Sequence, residues 1–261
     1  MKDISDIFSP EGPLAEALPH YEVRVEQRSL AEFIANHLER GGTAVAEAGT
    51  GTGKTLAYLV PLALRAASSG ERAAVSTETK NLQIQLLEKE FPLVRRILKE
   101  RWGMRFSYAL CLGSSNYLCL RALNELEHTG GFPLGTSPEE ILTVLALRES
   151  DEIVTRYSSG LPKRLWDLIG RSSEDCAGFR CPHIDRCSYA AAREEWKKAD
   201  VLLMNHHLFF SNISLGKTYL PPFEHVVFDE AHNLEQIAAE EMGFALNEKL
   251  LNSATSPRRR K

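Results

Sequence analysis

The chain has 261 residues, of which 43% are hydrophobic and 25% charged, and its formal net charge is −4. This composition is typical of a globular protein with one large or two small domains, and it excludes the strong cationic field of a general polyanion binder. The sequence shows neither an apolar run of about 18 residues nor a basic start followed by an apolar core, so we expect a cytoplasmic protein without a membrane helix or secretory signal.

The first periodic segment is Val25–Arg40, where apolar residues recur at helical spacing until two glycines stop the pattern. We predict a short strand at residues 43–48, a glycine-rich loop at residues 48–55 and a helix at residues 54–67. Strand, loop and helix in this order form the context that a phosphate-binding loop requires.

Strands and helices continue to alternate after this loop. Residues 73–76 are predicted to form a strand, residues 80–90 a helix that Pro92 ends or restarts, and residues 106–112 another strand. Cys111 lies in that apolar strand, and we expect its thiol to be a small buried hydrophobic group.

The composition changes between residues 116 and 198, where β-branched runs are scarce and helical stretches dominate. A capped helix start is predicted at residues 137–140, and a helix at residues 188–198. Apolar strands at 200–204 and 225–228 then resume the earlier pattern. The predicted fold class is therefore α/β, a doubly wound parallel sheet with a mostly helical insertion.

The glycine-rich loop departs from the phosphate-binding consensus only at Ala48, which replaces a glycine. Its backbone N–H groups and the following helix N-terminus are predicted to face phosphates. Lysine would reach the β and γ phosphates, and threonine would bind Mg²⁺. A functionless glycine turn is the alternative. The predicted phosphate-binding residues are Gly49, Thr50, Gly51, Thr52, Gly53, Lys54 and Thr55.

Asp229 and Glu230 directly follow the last predicted strand. In an open α/β sheet, ligands bind at the carboxyl ends of the strands. Asp229 is predicted to hold Mg²⁺ and Glu230 to orient and deprotonate the attacking water, with Lys54 as the third catalytic residue. Taken alone, the acidic pair could be an ordinary helix start; beside the glycine loop it indicates ATP chemistry.

Three cysteines, Cys176, Cys181 and Cys187, lie close along one segment, and Cys119 must join them through the fold. In a reducing compartment, spaced cysteines are more often metal ligands than disulfides. Four thiolates suit a [4Fe-4S] cluster and also tetrahedral zinc. The spacing alone does not decide between iron, zinc and no metal.

Two groups of basic residues are candidates for contact with nucleic acid, and the alternative for each is a solvated helix face. They comprise Arg95, Arg96, Lys99, Arg101 and Arg105, and then Lys163, Arg164, Arg171, Arg180, Arg186, Arg193, Lys197 and Lys198.

Together these motifs resemble the iron–sulfur superfamily 2 helicases of the DinG/XPD group, in its bacterial DinG/YoaA branch. Residues 47–55 resemble motif I of that family, residues 76–86 motif Ia and residues 229–232 motif II. The segment containing Tyr21, Arg24 and Gln27 resembles the family's adenine-contacting segment. The setting of Cys119 and the spacing of the later cysteines resemble those of the family's cluster ligands. Residues Met204 to Leu208 resemble a further segment of the family, and this resemblance implies that His206 and His207 are structural or coupling residues.

The resemblance implies the first, incomplete part of a RecA-like motor: residues 1–112 and 199–252, with an iron–sulfur insertion at 113–198 and a disordered basic tail at 253–261. It implies ATP, Mg²⁺ and a [4Fe-4S] cluster as cofactors, the cluster being held by the four cysteines named above. It also implies a 5'-to-3' DNA helicase of DNA repair that acts on single-stranded and forked DNA, with strand contacts from basic residues and from aromatics such as Tyr117 or Phe179.

The sequence departs from the family in two respects. Members continue into a second motor domain that supplies an arginine finger; the terminal Arg258 to Arg260 do not replace it, and a separately encoded second motor domain is a candidate partner. Ser114 stands where the family often has arginine. The alternative function is therefore a nucleotide- and DNA-binding module with little or no turnover, and a zinc-dependent phosphate-loop protein is a third interpretation.

Overall fold

The computed structural model describes residues 4–243. The predicted tail at residues 253–261 and the last residues of the predicted motor segment 199–252 lie outside this range. Within those residues no helix is both long and apolar enough to cross a bilayer. The helices are α1 (Ile4–Ile7), α2 (Pro13–Ala17), α3 (Val25–Arg40), α4 (Lys54–Ser69), α5 (Lys80–Gln85), α6 (Phe91–Trp102), α7 (Leu120–Thr129), α8 (Pro138–Ala146), α9 (Lys163–Ile169), α10 (Ser188–Lys198), α11 (His206–Ser214) and α12 (Leu234–Met242). The strands are β1 (Ala73–Thr77), β2 (Tyr108–Leu110), β3 (Val201–Asn205) and β4 (His225–Phe228).

The four strands form one parallel sheet in the order β2-β3-β1-β4. Alternate residues of each inner strand point to opposite faces, and both faces are buried. Val75 and Leu203 pack with α3, α4 and α6, whereas Ala74 and Leu202 pack with α10 and α11. The sheet thus lies between two helical layers, which confirms the predicted α/β class.

Several elements have the bounds that the sequence predicts. The helices Val25–Arg40 and Ser188–Lys198 and the last strand agree to the residue. The predicted capped start of α8 is also confirmed: the Ser137 hydroxyl accepts a hydrogen bond from the Glu140 N–H at 3.2 Å, and a Glu140 carboxylate oxygen accepts one from the Ser137 N–H at 2.9 Å. Local patterning and capping determine these boundaries.

The predicted strand at residues 43–48 is wrong. Residues 43–49 have no regular secondary structure, and the Val45 side chain is 90% exposed. A strand forms only where a neighbouring strand takes up its backbone hydrogen bonds. In the described part of the chain β4 pairs with β1 alone, and no strand pairs with residues 43–48.

Pro92 restarts the helix that precedes it. One π-helical turn, Leu86–Glu90, joins α5 to α6, and Pro92 occupies the first turn of α6, where the missing N–H costs little. The predicted helix at 80–90 is therefore the first part of a longer helical segment that ends at Gly103.

The helices between residues 118 and 169 have an apolar core of their own. Its buried members include Leu123 from α7, Val144 from α8, and Leu165 and Trp166 from α9. The Trp166 indole N–H donates to the Ser115 carbonyl oxygen at 2.8 Å, which fixes this core to the segment that leaves the sheet. The separate core agrees with the expected insertion, although its predicted limits at residues 113 and 198 stay a prediction.

Arg72 ties the last helix of this region back to the sheet. Just before β1, its guanidinium donates to the carbonyl oxygens of Lys197 at 2.7 Å, Ala199 at 2.8 Å and Pro222 at 2.9 Å. These carbonyls lie at the end of α10, just after it, and shortly before β4. A single side chain therefore joins three segments that are far apart in sequence.

Candidate functional site

The glycine loop leads directly into α4, and its backbone is held by two side chains from the start of α3. Arg24 donates to the Gly51 carbonyl oxygen, and Gln27 Nε2 donates to the Gly53 carbonyl oxygen at 2.9 Å. Gly53 has a φ of 78°, and a Cβ there would lie 2.1 Å from Gln27 Nε2. Glycine is therefore favoured at this position by its left-handed conformation, and a Cβ there would also displace the Gln27 side chain from the loop.

Arg24 and Gln27 were predicted to contact adenine, and in the structure they contact the loop that would hold the phosphates. Arg24 also lines an open groove of about 770 Å³ between α3 and the glycine loop, together with Leu30, Phe33 and residues 45–52. The groove begins at the predicted phosphate site and ends against apolar side chains. Its dimensions suit a nucleotide.

The structure brings the loop lysine and the acidic pair together. Lys54 Nζ lies 3.5 Å from a Glu230 carboxylate oxygen. Parallel pairing of β1 with β4 is the cause, because it places the end of β4 beside the end of β1, where the Asp229 N–H donates to the Ser76 carbonyl oxygen at 2.9 Å. Residues about 175 positions apart thus meet at the carboxyl edge of the sheet, as the sequence predicts.

Glu230 has a left-handed backbone, with φ 58° and ψ 51°. This conformation is uncommon for a residue with a side chain, and such residues cluster at functional sites. It turns the chain sharply from β4 and directs the carboxylate toward Lys54. His232 Nδ1 lies 3.5 Å from the other Glu230 oxygen, so the carboxylate has a partner on each side.

Asp229 is buried, and both of its carboxylate oxygens have a partner. The Tyr58 hydroxyl donates to Asp229 Oδ2 at 3.0 Å, and the Glu230 N–H donates to Oδ1 at 3.0 Å. Burial, and then the Asp229 carboxylate, raise the pKa of Tyr58 well above its usual value. The phenol therefore stays protonated. Sequence analysis missed this residue, although its position three residues after Thr55 puts both on one helix face.

His206 is fully buried and connects two strand ends. Its Nδ1 lies 2.7 Å from the Ser76 hydroxyl and its Nε2 lies 3.0 Å from the Asp229 carbonyl oxygen. A carbonyl only accepts, so Nε2 carries the proton and Nδ1 accepts from serine. Burial lowers the pKa of His206, which keeps the ring neutral. His207 is instead exposed and lies 3.0 Å from Glu241.

The four predicted cluster ligands line one cavity of about 330 Å³, formed by the start of α7, the loop before α10 and α10 itself. They are Cys119, Cys176, Cys181 and Cys187, all unpaired. Among residues 4–243, no three metal-binding side chains converge closely enough to hold a single ion. The four cysteines therefore share one cavity without forming a compact site for a single ion.

The cavity wall supplies further groups suited to thiolates. The Gly178 N–H donates to Cys176 Sγ at 3.4 Å, and the cationic side chains of Arg121 and Lys197 also line the cavity. Cys111 does not line it: it is buried elsewhere, and burial raises its thiol pKa. The prediction that Cys111 is a buried hydrophobic group is confirmed.

Of the two aromatics named as candidates for base stacking, only one is accessible. Tyr117 is 1% exposed and packs against Tyr189 and Trp196, so the prediction that it stacks on DNA bases is wrong. The residues next to Tyr117 in sequence do not reveal this aromatic cluster. Phe179 is 98% exposed on the loop between Cys176 and Cys181.

The basic candidates also differ in accessibility. All five basic residues of the first group, between positions 95 and 105, are exposed, as they would be on a solvated helix face. In the second group, Arg193 packs against aromatic rings and donates to the Tyr219 carbonyl oxygen, and the Arg171 guanidinium lies 4.3 Å from the Tyr189 ring centre. Those two arginines serve packing, while Arg180, Lys163 and their exposed neighbours remain open to solvent.

Comparison with known proteins identifies the family. A DEAD/DEAH box helicase model matches residues 28–150 and a DEAD_2 model matches residues 172–251. The chain is 36% identical over 259 residues to the ATP-dependent DNA helicase YoaA of Escherichia coli, covering 95% of this chain and 39% of that protein. It is 33% identical over 224 residues to the ATP-dependent helicase DinG of Mycobacterium tuberculosis, covering 80% and 34%.

A solved structure of an XPD helicase is similar with a TM-score of 0.44 and 22% identity, covering 83% of this chain and 34% of that one. The chain spans 39% of the length of the YoaA relative and 34% of the length of the DinG relative. On the family models and the sequence relatives, the chain belongs to the DEAD/DEAH-box helicases of the DinG/YoaA type.

Proposed function

We propose that this chain is the ATP-binding part of a cytoplasmic ATP-dependent DNA helicase that moves 5' to 3' along single-stranded DNA and acts in DNA repair. One observation carries the proposal. The fold brings Lys54 of the glycine loop within 3.5 Å of Glu230, and Asp229 of the same acidic pair lies beside them at the open edge of a parallel sheet. This is the arrangement that phosphoryl transfer to water requires.

Each residue at this edge has a role that its chemistry allows. Lys54 would neutralise the β and γ phosphates, and Thr55 and Asp229 would hold Mg²⁺. Glu230 would orient the attacking water and accept its proton. The backbone N–H groups of residues 49–53 would bind phosphate oxygens, and the groove beside Arg24 would hold the base and sugar.

We further propose that the four cysteines of the cavity hold a [4Fe-4S] cluster. Their convergence on one cavity supports the proposal, as do the N–H donated to Cys176 Sγ and the cationic wall. Four cysteine thiolates suit either a [4Fe-4S] cluster or tetrahedral zinc, and the resemblance of the cysteine spacing to the DinG/XPD cluster ligands favours the cluster. The cluster would join the start of α7 to the loop before α10, which are more than fifty residues apart, and so stabilise the insertion.

Single-stranded DNA at a fork would pass the insertion, held through its phosphates by exposed basic side chains and by base stacking on Phe179. The exposure of Phe179 beside the cysteine cavity supports this path.

A second candidate function is nucleotide and DNA binding with little turnover. The ion pair between Lys54 and Glu230 favours it, because each group neutralises the other until a phosphate displaces the carboxylate. An arginine finger from another motor domain can raise the rate of such a site by about 10³ to 10⁵. A separately encoded second motor domain would be the partner that supplies it.

ATP hydrolysis by the purified chain, with and without single-stranded DNA, tests both functions. DNA-stimulated hydrolysis that is lost in Lys54→Ala but kept in Lys89→Ala supports the motor. Lys89 is a suitable control because it is an exposed lysine outside both groups of candidate basic residues, and it lines neither the groove nor the cysteine cavity. Nucleotide binding without stimulated hydrolysis supports the binding module, and absence of both rejects the proposal.

Metal analysis tests the cluster separately. We expect a brown protein with iron and acid-labile sulfide in equal amounts, and loss of both in Cys119→Ala. Cys111→Ala is the matched control, since Cys111 is a free cysteine that does not line the cavity. Stoichiometric zinc without sulfide would contradict the assignment.

A further inference from the structure

Tyr58 lies between the two side chains that are predicted to bind magnesium. It follows Lys54 by one turn of α4 and Thr55 by three residues, so all three side chains share a helix face at the sheet edge. Its ring is buried, with 4% of its surface exposed. The hydroxyl emerges from this packed position at the predicted metal site.

The hydroxyl interacts with both predicted ligands. It donates to Asp229 Oδ2 at 3.0 Å, and the Thr55 hydroxyl also interacts with it. A phenol has one proton to donate and lone pairs to accept, so it can serve both partners at once. Asp229 and Thr55 are far apart in the chain, and this hydroxyl joins the Asp229 carboxylate to the helix that carries Thr55.

The other contacts of Asp229 do not perform this task. Its N–H and carbonyl are held by Ser76 and His206, which fix the backbone. Within the described residues, its carboxylate accepts one hydrogen bond from the adjacent Glu230 N–H and one from Tyr58. Of these two, the bond from Tyr58 comes from the helix that follows the glycine loop. Without it, the Glu230 N–H alone holds the carboxylate, and no contact from α4 fixes the position of Oδ2.

We propose that Tyr58 is a positioning residue that holds the Asp229 carboxylate and the Thr55 hydroxyl in the geometry that binds Mg²⁺ with ATP. The inference rests on the proposed nucleotide function. It assigns Tyr58 no contact with substrate: its effect passes through the two ligands. A residue of this kind changes magnesium affinity and leaves metal-free nucleotide binding intact.

Tyr58→Phe tests the proposal because it removes only the hydroxyl. Binding of a fluorescent ATP analogue is titrated with Mg²⁺, and separately measured in excess EDTA. The substitution removes a hydrogen bond to a charged group, so the Mg²⁺ concentration at the midpoint is expected to rise on the order of tenfold, while affinity in EDTA stays within about twofold. Tyr219→Phe is the matched control, because it also removes one phenol hydrogen bond, to the Leu112 carbonyl oxygen, far from the glycine loop in sequence.

An unchanged magnesium midpoint in Tyr58→Phe would overturn the inference, as would an equal loss of affinity with and without Mg²⁺. If wild-type protein binds no nucleotide, the proposed function itself fails, which is a separate result. Thermal melting without nucleotide shows whether the variant is folded. Should Tyr58→Phe be unfolded, Tyr58→Met, which also lacks the hydroxyl and fills the pocket with a flexible side chain, takes its place with the same criteria.

Discussion

Replacement of Arg72 by alanine should destabilise the fold more than loss of an exposed ion pair does. The guanidinium donates to the carbonyl oxygens of Lys197, Ala199 and Pro222, and so fastens α10 and the segment before β4 to the start of β1. Alanine leaves all three acceptors without this donor. Water can replace it at the two exposed contacts but less well at the partly buried contact with Ala199.

The magnitude follows from that difference in exposure. A hydrogen bond from a charged donor contributes about 1.5–3 kcal/mol when buried, and a neutral or solvated one about 0.5–1.5 kcal/mol. One bond of the first kind and two of the weaker kind together span about 2.5–6 kcal/mol, and we expect a value near the lower end, about 3 kcal/mol, because water replaces the lost donor at the two exposed contacts. For a chain of this size, that corresponds to a fall in Tm of roughly 6–12 °C.

Thermal unfolding monitored by circular dichroism measures the effect. Arg72→Lys keeps the charge but lacks the planar guanidinium group that reaches three carbonyl oxygens, so we expect most of the fall in Tm to remain in this variant. Arg28→Ala is the control, since Arg28 makes an exposed pair with Glu32 and should shift Tm by less than about 2 °C. A fall for Arg72→Ala no larger than that of the control would refute the reasoning.

Three further predictions concern the two candidate sites. Glu230→Gln should bind ATP more tightly, because the competing ion pair with Lys54 is removed, yet its hydrolysis should fall about 10²-fold or more, as measured by binding and phosphate release. The pKa of His206 is lowered in the folded state, so the unfolded chain takes up a proton at this residue at a higher pH than the folded chain does. The stability of the wild-type protein should therefore be highest above about pH 6.5 and fall as the pH drops below that value. His206→Gln should flatten this part of the profile of stability against pH. Phe179→Ala should weaken binding to single-stranded DNA about tenfold in a fluorescence titration, whereas Leu134→Ala, equally exposed, should not.

Each of these predictions has a clear contrary result. Loss of ATP binding in Glu230→Gln would mean that the carboxylate supports the nucleotide rather than competes for Lys54. Parallel pH profiles for wild type and His206→Gln would remove the histidine as the cause of acid sensitivity. Equal affinities of the Phe179 and Leu134 variants would place the DNA elsewhere.

The sequence alone determined the features that depend on near neighbours. The bounds of α3 and α10, the capped start of α8 and the glycine loop before α4 all follow from periodicity, capping residues and a short motif. The fold class follows as well, because alternating strands and helices favour a parallel sheet. These signals act over one or two helical turns, so no distant contact can hide them.

Only the tertiary structure decided the features that join distant segments. The strand predicted at 43–48 is absent because no neighbouring strand among the described residues is available to it, which local sequence does not reveal. Tyr117 is buried by residues more than seventy positions away. Tyr58 and Asp229 are separated by 171 positions, and no spacing rule predicts their hydrogen bond. Pairing of β1 with β4 brings them together, and it is therefore the fold that turns two short motifs into one site.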